Sequence, residues 1–200
     1  MNKFKTLSAA LLLGLVSACG GGASDAGPPP LQGARMGGAF TLLNQDGQTV
    51  TDQAFAGSYR LIYFGYSFCP DVCPTDAAVM GKAMRLFEKE EPARAKKVVP
   101  IFITVDPARD TPRVLKEFVG NFHPRMVGLT GSVAQIDDVA QRYGVAFLRD
   151  KPNAQGAYLV DHARMIVLYG PQGEPIAIMP QNTGEDAAQR MADELARWVK

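Results

Sequence analysis

The chain has 200 residues, of which 46% are hydrophobic and 20% charged, a composition typical of one globular domain with extensions. Its formal net charge of +1 provides no strong electrostatic field, and we therefore do not expect it to bind nucleic acid. It contains three cysteines and two histidines.

The first 18 residues have the layout of a secretory signal peptide. Lys3 and Lys5 precede a short apolar run that is too short to span a bilayer comfortably, and small residues then lead to Cys19. Val16-Ser-Ala-Cys19 resembles a bacterial lipobox, so we expect residues 1–18 to be removed and Cys19 to be lipidated. In the alternative interpretation, an ordinary signal or an uncleaved anchor, Cys19 is incidental. The lipobox interpretation predicts a bacterial lipoprotein, anchored in a membrane and facing the periplasm.

A flexible tether is predicted to separate this anchor from the folded domain. Residues 19–36 are rich in Gly, Ser and Pro and lack apolar periodicity, whereas residues 37–200 alternate strand-like and helix-like patterns. Residues 39–50 contain an Asp-Gly turn signal between two strand-like runs, which predicts an N-terminal β-hairpin. The apolar runs at 59–66 and 98–105 predict buried strands, the second of them covered on both faces.

Helices and further strands follow in alternation. Helical spacing or capping signals predict helices over residues 75–90, 110–118, 132–143 and 183–199. Further strands are predicted over residues 146–149, 158–161, 165–169 and 176–179. We expect Asp110 or Thr111 to cap the second helix and Thr183 the last. The loop that contains Asp106 can instead dock a partner or support the site, and the role of Asp106 stays open. The pattern predicts an α/β fold with a central mixed β-sheet flanked by helices.

Cys69 and Cys73 lie between the strand at 59–66 and the first helix. Pro70 and Pro74 stiffen this turn, and Pro74 suits the first position of a helix. Cys73 is then expected near the helix N-terminus, where partial positive charge favours a thiolate. Such thiolates can attack a disulfide or hold a soft metal, but the pair can equally be a structural disulfide or two buried thiols. The spacing is one residue wider than the Cys-x-x-Cys of redox pairs of the thioredoxin type.

The third candidate ligand is His162, which follows Asp161 at the end of a predicted strand. A thioredoxin-like arrangement would bring it near the thiol loop, although a lone histidine is more often structural. Two thiolates and one imidazole form a soft, low-coordinate site that favours copper, especially Cu(I). The other histidine, His123, lies in loop-like sequence, and we assign it no role.

Three stretches together resemble the signature blocks of the Sco/SenC family. They are Tyr63-Phe-Gly-Tyr-Ser-Phe-Cys-Pro-Asp-Val-Cys-Pro-Thr75, Thr104-Val-Asp-Pro-Ala-Arg-Asp-Thr-Pro112 and Tyr158-Leu-Val-Asp-His162. The resemblance implies a thioredoxin-like fold and copper bound by Cys69, Cys73 and His162. It also implies that Asp161 orients the histidine or its loop, and that the client is the binuclear CuA centre of cytochrome c oxidase subunit II or a similar copper apoprotein. An upstream copper donor is then required, and we expect a monomer.

Two other functions compete with a copper metallochaperone. A thiol-disulfide oxidoreductase that reduces the cysteines of a copper apoprotein would use Cys69 and Cys73 as its redox pair. A peroxiredoxin-like peroxidase usually has Thr or Ser three residues before its cysteine, where this chain has Tyr66 and Pro70. We therefore expect a metallochaperone, which is not an enzyme in the turnover sense, with the oxidoreductase as the alternative.

Overall fold

The computed structural model describes residues 27–180 and 184–200. The predicted signal peptide, Cys19, the first part of the tether and Thr183 therefore lie outside the described residues. In chain order the elements of the described part are β1 (Thr41–Asn44), β2 (Thr49–Thr51), β3 (Tyr59–Gly65), α1 (Val72–Glu90), α2 (Pro92–Ala95), β4 (Val98–Thr104), α3 (Pro112–Gly120), β5 (Val127–Thr130), α4 (Val133–Arg142), β6 (Phe147–Arg149), β7 (Val160–His162), β8 (Ile166–Tyr169), β9 (Pro175–Ile178) and α5 (Ala187–Trp198). Among the described residues, none of the helices has the length and apolar character needed to cross a bilayer.

A mixed sheet of seven strands forms the centre of the described part, in the order β2-β1-β5-β4-β3-β8-β9. Strands β3, β4 and β5 are parallel, whereas β1, β8 and β9 pair antiparallel with their neighbours. The predicted N-terminal hairpin is confirmed as β1 and β2, and Gly47 in its turn has a φ of +76°, which glycine adopts without strain. The predicted mixed sheet is likewise confirmed.

The central strands are buried because helices cover both faces of the sheet. All seven residues of β3 are buried, and its successive side chains point to opposite faces. Tyr63 contacts Asp76 of α1 on one face, while Phe64 packs against Tyr143, directly after α4, on the other. Helix α1 also packs against α5, whose buried positions include the predicted core residue Trp198.

Several element boundaries differ from the predictions. Helix α1 begins at Val72, three residues before the predicted start, so Pro74 is its third residue and not its first. Proline is tolerated there because the first four N–H groups of a helix have no partner within the helix. Helix α5 begins only at Ala187, after Asp186.

Strands β6 and β7 form a separate two-stranded antiparallel sheet, in which Phe147 pairs with His162. His162 therefore does not belong to the central sheet. At the other end of the domain, Leu31 lies within the predicted tether but donates its backbone N–H to the carbonyl oxygen of Ile176 at 3.0 Å and packs against the core. Contacts with the domain thus begin inside the stretch predicted to be flexible.

Candidate metal centre

The two thiols lie on the turn between β3 and α1. The backbone N–H of Cys69 donates to the carbonyl oxygen of Tyr66 at 3.3 Å, and the N–H of Cys73 points to the Cys69 sulfur at 3.4 Å. Cys73 is the second residue of α1 and completely buried, whereas the Cys69 residue is 8% exposed. Both cysteines are free thiols. The turn therefore brings the two sulfurs together, with Cys69 the more accessible.

His162 reaches this turn from the β6–β7 hairpin. Its Nε2 lies 3.2 Å from the Cys73 sulfur, and its Nδ1 lies 3.2 Å from the carbonyl oxygen of Ala163. A proton on Nδ1 donates to that carbonyl and leaves the Nε2 lone pair facing Cys73. The rings of Tyr63 and Tyr66 flank the imidazole, with centroids 6.2 and 6.1 Å away. The imidazole is thus oriented for a thiol proton or a metal ion.

The two thiols differ strongly in acidity. Burial opposes ionisation of Cys69, but the backbone N–H groups of residues 71–73 outweigh it and lower the pKa of Cys69. Burial raises the pKa of Cys73 to about 12. The prediction that the helix N-terminus makes Cys73 the thiolate is therefore wrong, because the open N–H groups of the first turn point to the Cys69 sulfur. Burial also lowers the pKa of His162, which keeps the imidazole neutral.

An open cavity of about 280 Å³ gives access to the site and is lined by Cys69, Val72, Leu159 and His162, among others. Within residues 27–180 and 184–200, no three Cys, His, Asp or Glu side chains are already arranged as a complete set of metal ligands. The three candidates form two pairs that share Cys73: its backbone N–H points to the Cys69 sulfur, and its own sulfur faces His162. Their donor types suit a soft ion. A larger cavity of about 710 Å³ between α4 and β6 contains none of the three.

Asp161 does not contact His162 through a hydrogen bond. Its side chain is exposed, and in the described part of the chain it forms no hydrogen bond or ion pair. Neighbouring residues of a strand point to opposite faces, which separates Asp161 from the imidazole. Its negative charge raises the pKa of His162 slightly, by less than the charge of Asp76 does. An orienting role for Asp161 stays a prediction.

Asp110 braces the thiol loop and does not cap α3, which corrects one prediction. The cap is Thr111, whose hydroxyl accepts from the N–H of Val114 at 3.4 Å. Asp110 is fully buried and accepts from the N–H of Ser67 at 3.0 Å, from the Ser67 hydroxyl, and from the Thr104 hydroxyl at 2.6 Å. It thereby fixes Ser67, two residues before Cys69, to the end of β4.

Asp106, which the sequence left without a role, ties the segment that leads into β7 to the end of β4. It is fully buried, accepts from the Tyr158 hydroxyl at 2.7 Å and forms an ion pair with Arg109. The Arg109 guanidinium lies 3.7 Å from the centroid of the Tyr158 ring and donates to the Tyr158 carbonyl oxygen at 3.0 Å. The loop after β4 therefore supports both the thiol turn and the approach to His162.

Sequence reasoning missed a second group of polar residues beside the ligands. Asp76, in the first turns of α1, accepts from the Tyr63 hydroxyl at 3.0 Å and from Arg164 at 2.7 and 3.0 Å. A polar residue inside the buried strand β3, as Tyr63 is, is a weak signal of a buried hydrogen-bonding partner. Nothing local distinguishes Asp76 or Arg164 from ordinary surface residues.

Residues 28–200 match the model of the SCO1/SenC family. The chain belongs to the SCO1/SenC family. Protein SenC of Rhodobacter capsulatus is 44% identical over 139 residues, which are 70% of this chain and 61% of that protein. The chain spans only 54 to 61% of the length of three of the curated relatives it matches.

Solved structures of the family share the fold. The structure of Bradyrhizobium japonicum ScoI with copper bound is 36% identical, with a TM-score of 0.72, covering 82% of this chain and 99% of that one. BsSco, described as having a disulfide switch and belonging to the Sco family of cytochrome c oxidase assembly proteins, is 25% identical, with a TM-score of 0.62 over 84% of this chain and 96% of that one. The predicted thioredoxin-like fold is confirmed.

Proposed function

We propose that this protein is a copper metallochaperone that binds one copper ion through Cys69, Cys73 and His162. The contact of 3.2 Å between the Cys73 sulfur and His162 Nε2 carries the proposal, because it joins residues 89 positions apart at a buried dithiol. The solved ScoI structures with copper bound support copper as the cargo. Core packing of two buried thiols does not require an imidazole lone pair at this point.

The inequality of the two thiols suggests an order of binding. Cys69 is the more accessible of the two thiols and its lowered pKa favours the thiolate, so it captures the ion first. Cys73 then exchanges its S–H bond for a bond to copper and releases a proton, and the neutral His162 supplies the third ligand. Delivery runs in reverse, as ligands of the client replace these three one at a time.

We further propose that the client is the CuA centre of cytochrome c oxidase subunit II, or a similar copper apoprotein. The membership of BsSco in a family of cytochrome c oxidase assembly proteins supports this choice. An upstream donor must supply the copper, and the chaperone acts as a monomer. The test is transfer from the loaded protein to the apo form of a soluble CuA domain, followed by the visible spectrum of the client. Failure of transfer from a protein that does bind copper would reject this client.

We also propose that residues 1–18 are removed and that Cys19 then carries lipid, which anchors the domain at the periplasmic side of a bacterial membrane. Export places the thiols in an oxidising compartment, where a disulfide would block copper binding unless it is reduced. Metabolic labelling with palmitate, comparing the unchanged chain with Cys19→Ser, tests the anchor. Equal labelling of both would reject lipidation at Cys19.

The stoichiometry of copper on the reduced protein is the decisive measurement. We expect one copper per chain, weaker binding in His162→Ala and none in the Cys69→Ser/Cys73→Ser double variant. His123→Ala is a control for loss of a histidine, although His123 is buried beside Glu88 and its variant must first be shown to fold. Binding that is unaffected by His162→Ala would remove the third ligand from the proposal.

The alternative function is a thiol-disulfide oxidoreductase, and the acidity of Cys69 favours it. A more exposed thiol with a lowered pKa beside a fully buried second thiol is the pattern of a nucleophile and its resolving partner. Absence of copper binding together with rapid reduction of a disulfide substrate would establish this function instead.

A further inference from the structure

His162 lies on strand β7, which is not part of the central sheet. Strand β7 pairs only with β6 among the described residues, and the two form their own small sheet. Its backbone is fixed at a few points, such as the hydrogen bond of 3.3 Å from the N–H of Val160 to the Tyr66 hydroxyl. The position of the imidazole relative to α1, which carries Cys73, therefore depends on contacts made by side chains as well as on the three-residue link from β7 to β8.

Arg164 and Asp76 make such a contact. Arg164 Nη2 lies 2.7 Å from Asp76 Oδ1, and its Nε lies 3.0 Å from Oδ2, so the guanidinium grips the carboxylate with two parallel hydrogen bonds. The side chain of Asp76 is 5% exposed and that of Arg164 is 36% exposed. Paired bonds of this kind fix orientation as well as distance.

The ion pair runs beside the contact of the proposed ligands. Cys73 and Asp76 are three residues apart on α1 and share a helix face. His162 and Arg164 are two residues apart on the segment opposite. The two segments are thus joined twice, by Cys73 to His162 and by Asp76 to Arg164.

Tyr63, on strand β3 of the central sheet, lies beside both the Asp76–Arg164 ion pair and the imidazole of His162. Its hydroxyl donates to Asp76 Oδ2 at 3.0 Å. The Tyr63 residue is completely buried, and its ring lies beside the imidazole. Asp76 therefore has two partners that both border the proposed site, and its position is fixed from the sheet as well as from Arg164.

We propose that Asp76 and Arg164 form a clamp that positions His162 at Cys73, so that the third ligand is in place before copper arrives. This inference rests on the proposed function in taking His162 as a ligand. Asp76 and Arg164 are positioning residues, because neither needs to touch the ion. Without the clamp, the small sheet would still form, but the imidazole would no longer be held against α1.

The first test observes the imidazole without copper. The chain has only two histidines, so the ring signals of the reduced full chain in NMR can be assigned with His162→Ala. Asp76→Asn and Arg164→Gln should each shift or broaden the His162 signal and leave that of His123 unchanged. Arg164→Lys, which keeps the charge but not the paired geometry, should restore the signal only in part. An unchanged His162 signal in both Asp76→Asn and Arg164→Gln would overturn the clamp.

Glu88→Gln is the matched control. Glu88 is also on α1 and pairs with an arginine, Arg125, at 2.7 Å, but it lies beside His123 at 3.4 Å. This variant should disturb the His123 signal and not that of His162. If Glu88→Gln also disturbs the His162 signal, the effect is a general loosening of α1 and the clamp is refuted.

The second test is a double-mutant cycle in Cu(I) affinity, measured by competition with a chelator. Arg164→Gln should raise the dissociation constant about 10-fold, the lower end of what loss of an orienting contact costs at metal sites. In a His162→Ala background the same change should have no further effect, because there is no imidazole left to position. Additive losses would refute the clamp.

The two tests separate this inference from the proposed function. A chain that binds no copper refutes the chaperone, and the NMR comparison still decides the clamp. A chain that binds copper with unchanged affinity in Asp76→Asn and Arg164→Gln refutes the clamp alone. If Asp76→Asn fails to fold, Arg164→Gln alone still tests the clamp, because Arg164 is the more exposed partner and its replacement disturbs the core less.

Discussion

The carboxylate of Asp110 is the strongest single support of the thiol turn, and its removal should be costly. Asp110 is completely buried and accepts three hydrogen bonds, two from Ser67 and one from Thr104. At about 1 to 1.5 kcal/mol for each bond, loss of the three bonds in Asp110→Ala should lower the free energy of unfolding by about 3 to 4.5 kcal/mol. Relief of the carboxylate's own burial, which raises the pKa of Asp110, offsets part of this loss, so we expect about 3 kcal/mol.

Thr111→Ala is the matched control for this prediction. Thr111 is the next residue, but its hydroxyl caps α3 and does not contact the thiol turn. Loss of such a cap costs about 1 kcal/mol. For a domain of this size the two changes should lower Tm by about 6 to 12 °C and about 2 to 4 °C, respectively. Urea unfolding of the reduced, copper-free proteins measures both, since bound metal would add its own stabilisation.

The two variants should also differ at the site itself. Asp110→Ala releases Ser67 and with it the turn that buries Cys73, so alkylation of Cys73 should become faster. Thr111→Ala should leave this rate unchanged. If the two variants lose equal stability, or if Cys73 remains equally protected in both, the brace does not act as the contacts indicate.

Three further predictions follow from the site. Iodoacetamide at neutral pH should modify Cys69 well before Cys73, because the pKa of Cys69 is lowered while that of Cys73 is raised to about 12. Peptide mass spectrometry measures the order of modification, and earlier modification of Cys73 would contradict the prediction. Cu(I) binding at pH 7 should release at least one proton, from Cys73. The number of protons released should be the same in His162→Ala, because the lowered pKa of His162 leaves its imidazole neutral. Calorimetry in buffers of different ionisation enthalpy measures this number, and a smaller number in the variant would show that the imidazole was protonated. Arg109→Leu should speed proteolysis of the loop at residues 150–157, and an unchanged cleavage rate would show that Arg109 does not hold this loop.

The sequence predicted the elements around the site because their signals are local. The apolar runs of β3 and β4, the Asp-Gly turn of the hairpin and the helical spacing of α1 each depend on a few neighbouring residues. The proposed ligands were found in the same way, through motifs rather than through contacts. Their approach in space was expected only from the fold that the resemblance implied.

The supporting residues could not be predicted because their partners are distant in the chain. Asp76 and Arg164 are 88 residues apart, and Asp110 and Ser67 are 43 apart. In sequence, Asp110 resembles a helix cap as closely as Thr111 does, and only the packing of β3 beside β4 brings it to the thiol turn. The acidity of the thiols was misjudged for a related reason. The helix N-terminus was located to within three residues, but which sulfur its N–H groups meet is decided by the turn.

The contact between Cys73 and His162 bears on both candidate functions, and therefore does not by itself separate them. In copper binding, Nε2 donates its lone pair to the ion after Cys73 has lost its proton. In thiol exchange, the same lone pair can accept that proton as Cys73 attacks a mixed disulfide at Cys69, releasing the reduced client and forming the Cys69–Cys73 disulfide. That disulfide occupies both sulfurs and so excludes Cu(I). Both proposed activities would use the same dithiol, so the redox state of the pair would decide which of them is possible. A His162→Ala variant that loses copper affinity but keeps its rate of disulfide exchange would assign the imidazole to the metal alone.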